Sequence, residues 1–345
     1  MKNASVESIL LIRLSSLGDI LLLTPALRRL RAAQPQARVD LLTSQRYAEL
    51  LQDNSHLSNL ILAPDHPDRS ALQKLAADLR GRYDLVVDLH TGLRSVYLRR
   101  HVAAQRVLKY KKRRLARWFL VRFKWNFYRG EFSVSQAYLN ALKPLGVRDD
   151  SLGLEWLAAQ NSLPDFMRQA GLARLPDPWP IALCPGASHF TKRWPETRWR
   201  ELAHRLLETE PSLWIIGDQA DYPLGQQLCQ LNPERVVNFC GRLSLAHSGA
   251  ALALCRLAIT QDAGPAHMAA AVGVPVLAIF GSTVPQFGFA PFRVSHRVAE
   301  LDLFCRPCSH LGFAQCPLGH FRCMKDLSVE HVLDHFRSLK EERKI

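Results

Sequence analysis

The chain alternates short apolar runs with longer segments in which apolar residues recur at helical spacing. In the first half, the apolar runs that predict strands are Ser8–Leu14, Arg38–Thr43, Asn59–Ala63 and Asp84–Leu89. Helical patterns separate them at residues 19–33, 45–52 and 70–82. Strands that alternate with helices predict a parallel, doubly wound sheet.

The second half repeats this alternation after a proline-rich stretch between Gly146 and Pro180, which is where we place the connection between two domains. We exclude regular helix from its segments 161–164 and 175–180. The predicted strands that follow are Ile181–Cys184, Ser212–Ile216, Cys255–Thr260 and Val276–Phe280. The predicted domains are residues 1–165 and 178–327, with a last helix at 328–345, running from about Ser328 to Lys344, that could pack back on the first domain.

The segment from Gln261 to Pro275 is the predicted loop and helix between the strands Cys255–Thr260 and Val276–Phe280, so the four parts form a strand-loop-helix-strand unit. Asp262 stands where an N-cap would, Gly264 permits unusual backbone angles, and Pro265 suits the first helical turn. The amino end of such a helix attracts anions. An ordinary capped helix explains the same residues equally well.

Polar residues follow several strands of both halves. Asp19 lies after the first strand and at the start of a helix, where a carboxylate is either a general base or a helix cap. The His90-Thr91-Gly92 sequence leaves the fourth strand at the same edge, as an acceptor contact or as a simple turn.

In the second half, Lys192 and Arg193 follow a strand, in a loop that suits a diphosphate or is merely a basic surface. Asp218 and Asp221 follow the next strand. Either could accept hydrogen bonds from ribose hydroxyls, and both could be turn and cap residues.

Length and composition indicate an ordinary soluble protein of two domains. The chain has 345 residues, of which 48% are hydrophobic and 22% charged. No apolar run approaches the ~20 residues that a transmembrane helix needs. The first residues show no signal-peptide pattern, so we expect a cytoplasmic protein.

The net charge of +14 implies an acidic partner, and its excess is concentrated in one segment. No acidic residue lies between Asp88 and Glu131, and aromatic residues are interleaved with the basic ones. This composition suits an anionic membrane surface, although nucleic acid or a simple solvated face would also fit. The basic residues that we assign to the acceptor or the membrane are Arg94, Lys111, Lys112, Arg113 and Arg114.

Three blocks of the chain resemble glycosyltransferase family 9, the lipopolysaccharide heptosyltransferases. They are Leu11-Ile-Arg-Leu-Ser-Ser-Leu-Gly-Asp19-Ile20 with Thr24-Pro-Ala-Leu27, Cys184-Pro-Gly-Ala187 with Lys192-Arg-Trp-Pro195, and Asp262-Ala-Gly-Pro-Ala-His267 with the residues up to Phe280. The resemblance implies a GT-B fold, in which two Rossmann-like domains face a central cleft. It places the acceptor on the first domain and an ADP-activated heptose on the second.

The resemblance also assigns roles to individual residues. It makes Asp19 the catalytic base, and it implies that Lys192, with Thr191, binds the phosphates of the donor. Donor-site residues in the third block are Asp262, Ala263, Gly264 and His267. Many family members have Thr or Ser where this chain has Ala263, so a hydroxyl contact is lost there.

Four cysteines near the end of the chain, Cys305, Cys308, Cys316 and Cys323, have a spacing that could hold zinc. Thiols without a metal explain the spacing equally well. We expect no cofactor to be required for catalysis and treat zinc as a structural candidate.

The sequence therefore predicts a metal-independent, inverting transferase that moves a heptose from ADP-heptose to a phosphorylated lipid A-type acceptor. We expect it to act as a peripheral protein at the inner face of the inner membrane. The alternatives are a GT-B transferase that uses another nucleotide sugar, and a non-catalytic basic protein that binds anionic lipid or, less favoured, nucleic acid.

Overall fold

The computed structural model of the chain describes residues 6–343. Residues 1–5 and 344–345 therefore lie outside the described residues. They include the start of the first predicted domain and the end of the last predicted helix at Lys344. Two parallel sheets and the helices around them make up the described chain.

The first sheet has five parallel strands in the order β3-β2-β1-β4-β5. Its strands are β1 (Ser8–Ile12), β2 (Arg38–Ser44), β3 (Asn59–Ala63), β4 (Leu85–Asp88) and β5 (Arg106–Lys109). The four predicted strands are confirmed. The fifth was missed, because β5 is a short edge strand with two exposed arginine and lysine side chains rather than an apolar run.

The second sheet has six parallel strands in the order β11-β10-β9-β6-β7-β8. Its strands are β6 (Ile181–Cys184), β7 (Leu213–Ile215), β8 (Val236–Asn238), β9 (Leu257–Gln261), β10 (Val276–Ile279) and β11 (His296–Ala299). In both sheets the strand order reverses beside the first strand, between β1 and β4 and between β6 and β9. Ligands of open α/β sheets bind outside the carboxyl ends of strands at this reversal.

The helices cover the sheets and connect the strands. In chain order they are α1 (Leu17–Leu21), α2 (Thr24–Ala33), α3 (Arg69–Leu79), α4 (Leu93–His101), α5 (Arg114–Phe123), α6 (Val134–Ala141), α7 (Leu157–Asn161), α8 (Leu163–Gln169), α9 (Glu196–Leu207), α10 (Tyr222–Cys229), α11 (Leu245–Ala253), α12 (Gly264–Ala271), α13 (Arg322–Lys325) and α14 (Val329–Arg343). Among the described residues, five short 3-10 helices accompany them, at 45–51, 143–145, 190–192, 219–221 and 285–287.

Two local predictions about helices need correction. The segment predicted as a helix at residues 45–52 is helical, but it forms a 3-10 helix over Gln45–Leu51 rather than an α-helix. The proline-rich segment 161–164, which we excluded from helix, contains the start of α8 with Pro164 in its first turn. Proline is tolerated there because the first N–H groups of a helix have no partner within the helix.

The described chain forms two compact units, and their division differs from the predicted domains. The first unit contains the described residues up to Lys112 together with Val134–Ala158. The second contains Arg113–Ser133 and the described residues from Ala159 onward. The segment Arg113–Ser133 thus belongs to the second unit although it lies within the first half of the sequence.

Helix α14 is part of the core of the second unit. Its apolar residues Val332, Phe336 and Leu339 are buried in one cluster with Leu277 and Ile279 of β10. The helix packs on β10, β11 and α9. The predicted packing of this helix on the first domain is therefore replaced by packing on the second sheet.

Candidate functional site

Asp19 lies in the first turn of α1, directly beyond the carboxyl end of β1. Its Oδ2 accepts hydrogen bonds from the hydroxyl of Ser16 at 2.9 Å and from the backbone N–H of Ser16 at 3.3 Å. The carboxylate therefore completes a capping box at the start of the helix. Its side chain keeps 15% of its surface exposed, so capping leaves part of the carboxylate accessible.

A buried arginine holds the same carboxylate. The guanidinium of Arg13 lies 2.5 Å from Oδ2 of Asp19 and donates a second hydrogen bond, of 2.8 Å, to the carbonyl of Leu89. Burial alone would lower the pKa of Arg13, but the Asp19 carboxylate together with Tyr138 and Tyr110 outweighs this, and the pKa is raised. Arg13 therefore stays charged and fixes the orientation of Asp19.

Tyr138 of α6 completes this group of side chains. Its hydroxyl donates to Oδ1 of Asp19 at 3.2 Å, and its ring centroid lies 5.6 Å from the guanidinium carbon of Arg13. Complete burial raises the pKa of Tyr138 well above its usual value, so the phenol remains a hydrogen-bond donor. Neither Arg13 nor Tyr138 was singled out as a site residue from the sequence, although Arg13 lies inside the first family block.

The loop after β4 is held by Asp88, whose side chain is fully buried. Its carboxylate accepts hydrogen bonds from the backbone N–H groups of His90 at 3.1 Å and Thr91 at 2.7 Å. Lys112 donates to the carbonyl of His90 at 2.5 Å. Burial lowers the pKa of His90 to about 4, and the charges of Arg13 and Lys112 contribute, so the imidazole is neutral at pH 7.

In the second unit, Lys192 and Asp262 come together beyond the carboxyl ends of β6 and β9. The Nζ atom of Lys192 lies 2.7 Å from Oδ2 of Asp262 and donates to its backbone carbonyl at 3.1 Å. Thr283 donates its hydroxyl to the same Oδ2 at 2.5 Å. The two predicted donor residues thus form one cluster, in which Asp262 is buried and Lys192 is partly exposed, and to which the structure adds Thr283.

Arg306 fixes the loop that carries Thr283. This buried guanidinium donates to the carbonyls of Gly281 at 2.5 Å and Thr283 at 2.8 Å and pairs with the carboxylate of Glu300 at 2.6 Å. The sequence offered no local signal for it, because its partners are 5 to 25 residues away.

Helix α12 begins beside this cluster. Ala263 is its N-cap and provides no side-chain hydrogen bond, Gly264 and Pro265 form its first turn, and His267 is buried with its ring 6.4 Å from that of Phe289. The predicted N-cap, Asp262, is therefore wrong by one residue, whereas Pro265 lies in the first turn as predicted. Its amino end, with the positive end of the helix dipole, is next to Asp262 in the chain.

Thr191 lies in the interior rather than at the surface of this site. Its side chain is 1% exposed, and its hydroxyl accepts hydrogen bonds from the backbone N–H of Phe313 at 2.8 Å and from the hydroxyl of Ser282 at 3.0 Å. These bonds join the loop after β6 to the loop after β10 and to the segment after β11, so the described contacts of Thr191 are structural.

The two acids after β7 differ in their surroundings. Asp218 is exposed and caps the 3-10 turn Gln219–Asp221. Its carboxylate accepts a hydrogen bond of 2.8 Å from the backbone N–H of Ala220. Asp221 packs against Gly186 and Gly217, where any side chain would collide with its carboxylate. Burial raises the pKa of Asp221, and the charge of Asp218 adds to this. Asp218 is therefore the more accessible of the two candidates.

The predicted acceptor and membrane residues divide between the two units. Arg94, Lys111 and Lys112 belong to the first unit, and Arg113 and Arg114 to the second. Lys112 is engaged with the His90 carbonyl, whereas Lys111, Arg113 and Arg114 are exposed. No helix among residues 6–343 has the length and apolar content to cross a membrane.

The four C-terminal cysteines are free thiols, and burial raises the pKa of Cys308 to about 11 and that of Cys323 to about 12. Within residues 6–343, no three His, Cys, Asp or Glu side chains are arranged to hold a metal ion. The described geometry therefore does not fit the zinc suggested by the spacing of Cys305, Cys308, Cys316 and Cys323, and zinc stays a sequence prediction that elemental analysis can test.

Several known heptosyltransferases are similar to this chain in sequence. Lipooligosaccharide heptosyltransferase 2 of Campylobacter jejuni is 31% identical over 163 residues, so the match spans 46% of this chain and 50% of that protein. Lipopolysaccharide heptosyltransferase 1 of Pseudomonas aeruginosa is 29% identical over 344 residues, 94% of this chain and 92% of that protein.

A solved structure and a family profile complete the comparison. The E. coli ADP-heptose lps heptosyltransferase II has a TM-score of 0.71 and 21% identity, with 98% of this chain and 100% of that chain covered, which supports the GT-B fold. The profile of glycosyltransferase family 9, described as heptosyltransferase, matches residues 72–318, which include Lys192 and Asp262. Because this match covers well over half of the sequence, the chain is a glycosyltransferase and belongs to glycosyltransferase family 9.

Proposed function

We propose that the protein transfers a heptosyl group from ADP-heptose to a lipid A-type acceptor of the lipopolysaccharide inner core, with inversion at the anomeric carbon. The observation that carries this proposal is the pair Lys192 and Asp262 at the strand reversal of the second sheet, beside the amino end of α12. The lipopolysaccharide heptosyltransferase of P. aeruginosa, aligned along nearly all of the chain, supports the substrate class.

The donor diphosphate binds at this pair. Two of the three N–H donors of the Lys192 ammonium are directed to Asp262, one to the carboxylate and one to the carbonyl, which leaves one for a phosphate oxygen. The amino end of α12 contributes backbone N–H groups and the positive end of its dipole. Asp218, which is exposed after β7, accepts a hydrogen bond from a ribose hydroxyl.

Asp19 acts as the general base. Its carboxylate takes the proton of the acceptor hydroxyl as that oxygen forms a bond to the anomeric carbon. The bond from the anomeric carbon to the diphosphate breaks on the opposite side of the sugar, and ADP leaves with the electron pair. Lys192 and the amino end of α12 stabilise the charge that develops on the diphosphate, so the residues themselves supply positive charge.

Arg13 and Tyr138 position the base. Each contacts a different oxygen of the Asp19 carboxylate, Arg13 at 2.5 Å and Tyr138 at 3.2 Å. A carboxylate held in this way has a fixed orientation for removing the proton of the acceptor hydroxyl, which is the condition for efficient general base catalysis. We place the reaction at the anionic inner face of the inner membrane, where a phosphorylated lipid acceptor resides.

A donor panel tests the proposal. ADP-heptose, ADP-glucose, UDP-glucose and GDP-mannose are each incubated with the protein, with and without a lipid A-type acceptor, and nucleotide release is measured. We expect acceptor-dependent release of ADP from ADP-heptose, and a product of inverted anomeric configuration by NMR. Preferred release from another nucleotide sugar would reassign the donor, and no release from any donor would contradict catalysis.

A further inference from the structure

An exposed cluster of aromatic side chains lies on the second unit. We call Trp118, Phe119, Phe123, Trp125 and Phe127 the aromatic patch. Neighbouring rings of the patch are in contact, with centroids 5.3 Å apart for Trp118 and Phe123, 5.2 Å for Phe123 and Trp125, and 5.3 Å for Phe119 and Phe127. Four of the five remain 42 to 57% exposed. Contiguous apolar surface of this kind marks an interaction site, since scattered single residues need no partner but a cluster does.

The patch is firmly attached to the second unit. Leu120 is the buried residue of α5 and anchors the helix. After the helix, Lys124 donates to the carbonyls of Val121 at 2.8 Å and Pro307 at 2.7 Å. The ring of Tyr128 then lies 6.5 Å from that of Phe287. The exposed rings are thus presented by a fixed segment.

The basic residues around the patch indicate what kind of partner it binds. Between Arg113 and Gly130 there is no acidic residue, and the basic residues are Arg113, Arg114, Arg117, Arg122, Lys124 and Arg129. Tryptophan beside lysine and arginine is typical of protein surfaces at the boundary between lipid headgroups and acyl chains. The aliphatic residue Leu115, which is 75% exposed, precedes Trp118 and Phe119 by three and four positions and shares their helix face.

These observations favour lipid over nucleic acid. Aromatic side chains that bind single strands present open faces on which bases stack. In the patch, the rings of Phe119 and Trp125 instead stack on each other, with centroids 6.0 Å apart and planes inclined by 11°. An exposed leucine on the same face fits acyl chains and offers nothing to a base.

We propose that the aromatic patch inserts into the headgroup region of an anionic phospholipid bilayer, while the surrounding arginines bind the lipid phosphates. The bilayer is then bound by the same unit that carries Lys192 and Asp262, rather than by the predicted first domain, to which the sequence assigned it. The inference rests on the proposed function only in that the acceptor is a membrane lipid.

Vesicle sedimentation tests the inference without donor or acceptor. The vesicles consist of phosphatidylcholine with phosphatidylglycerol, or of phosphatidylcholine alone. The double variant Trp118→Ser/Trp125→Ser is compared with Trp179→Ser, which removes a tryptophan that is 41% exposed elsewhere in the second unit. We expect the double variant to partition onto the mixed vesicles roughly tenfold less than wild type, with Trp179→Ser unchanged. Equal partitioning of the double variant and wild type would overturn the inference.

Two further measurements make the result specific. Neutralising Arg122 and Arg129 to glutamine should weaken binding to the mixed vesicles by about tenfold or more, since each basic residue near an anionic surface contributes a few-fold. Lipids brominated on the acyl chain should quench the fluorescence of wild type but hardly that of the double variant. Absence of quenching in wild type means that the rings do not insert, and the inference is then wrong.

Other occupants of the patch give different outcomes. If a second copy of the chain covers it, the double variant elutes as a smaller species while vesicle binding is unaffected. If RNA binds there, the double variant loses RNA binding and not vesicle binding. Thermal unfolding and ADP binding report whether the double variant is folded. Vesicle binding by wild type without any sugar transfer would contradict the proposed function alone, whereas transfer without vesicle binding would contradict this inference alone.

Discussion

Lys192 and Asp262, 70 residues apart in the chain, form a salt bridge of 2.7 Å at the strand reversal of the second sheet. A carboxylate next to the proposed phosphate ligand competes with an anion for the ammonium. Its effect is to hold the ammonium in one place, because Lys192 is otherwise a flexible four-carbon side chain. Asp262 in turn is held by Thr283, so the position of the ammonium depends on three loops.

Replacement of Lys192 should weaken donor binding. We expect Lys192→Ala to bind ADP roughly 10 to 100 times more weakly, because a charge-assisted phosphate contact contributes about 1.5–3 kcal/mol. Isothermal titration calorimetry with ADP measures this. Lys325→Ala removes an exposed lysine of the same unit and serves as the control. Unchanged ADP affinity in Lys192→Ala would remove the lysine from the donor site.

Replacement of Asp19 should stop transfer without preventing donor binding. In Asp19→Ala and Asp19→Asn the acceptor hydroxyl has no base, so kcat should fall by about 100-fold or more, while donor affinity stays within a few-fold of wild type. Steady-state kinetics and ADP-heptose binding measure the two effects separately. Turnover near that of wild type in either variant would show that Asp19 serves only as the helix cap.

Loss of the Thr283 hydroxyl should act on the donor site through Asp262. Thr283→Val keeps the shape of the side chain but leaves a buried carboxylate oxygen with one contact fewer, at a cost of about 1–3 kcal/mol. We expect the KM for the donor to rise by about tenfold with the acceptor KM unchanged. Thr283→Ser retains the hydroxyl and should restore the donor KM. An equal effect of both substitutions would point to packing instead.

His90 should make the protein sensitive to acid. The pKa of His90 is lowered from 6.5 to about 4 in the folded state, mainly by burial. The unfolded chain therefore binds the proton first as the pH falls. Above pH 6.5, His90 makes its full contribution to the free energy of unfolding. This contribution, about 3 kcal/mol in total, is lost as the pH falls from 6.5 to 4, and no more is lost below pH 4.

Urea unfolding at pH 7 and pH 4.5 measures this loss. His90→Gln should show a smaller loss than wild type, because glutamine does not titrate. His204→Gln, at an exposed position, is the matched control and should behave as wild type. A pH dependence in His90→Gln identical to that of wild type would assign the acid sensitivity to other groups.

Chelation should leave transfer intact. Positive charge for the departing diphosphate comes from Lys192 and the amino end of α12 in the proposed reaction, so EDTA should not lower kcat. Metal analysis before and after treatment shows what has been removed. Loss of activity that Mg²⁺ restores would mean that a metal ion takes part in the reaction. If zinc is found and its removal lowers the melting temperature alone, the cysteines have a structural role.

The family and the strand-end loops were accessible from the sequence because they depend on local patterns. The apolar run of β1 and the loop to Asp19 are consecutive in the chain, and so are β9, Asp262 and the start of α12. Buried parallel strands require uninterrupted apolar runs, and helix starts require particular residues within one turn. Both requirements are met within about ten residues, so a single sequence reveals them.

The tertiary structure alone decided the remainder. Tyr138 reaches Asp19 across 119 residues, Thr191 turns inward because Phe313 and Ser282 bind it, and Lys112 is drawn to the carbonyl of His90. The segment Arg113–Ser133 likewise belongs to the second unit, and helix α14 packs on the second sheet. The sequence by itself determined most of the strands and the loops that follow them. Which side chains meet there, and which unit holds the aromatic patch, depended on contacts between distant residues, because burial is a property of the folded chain and not of any short segment.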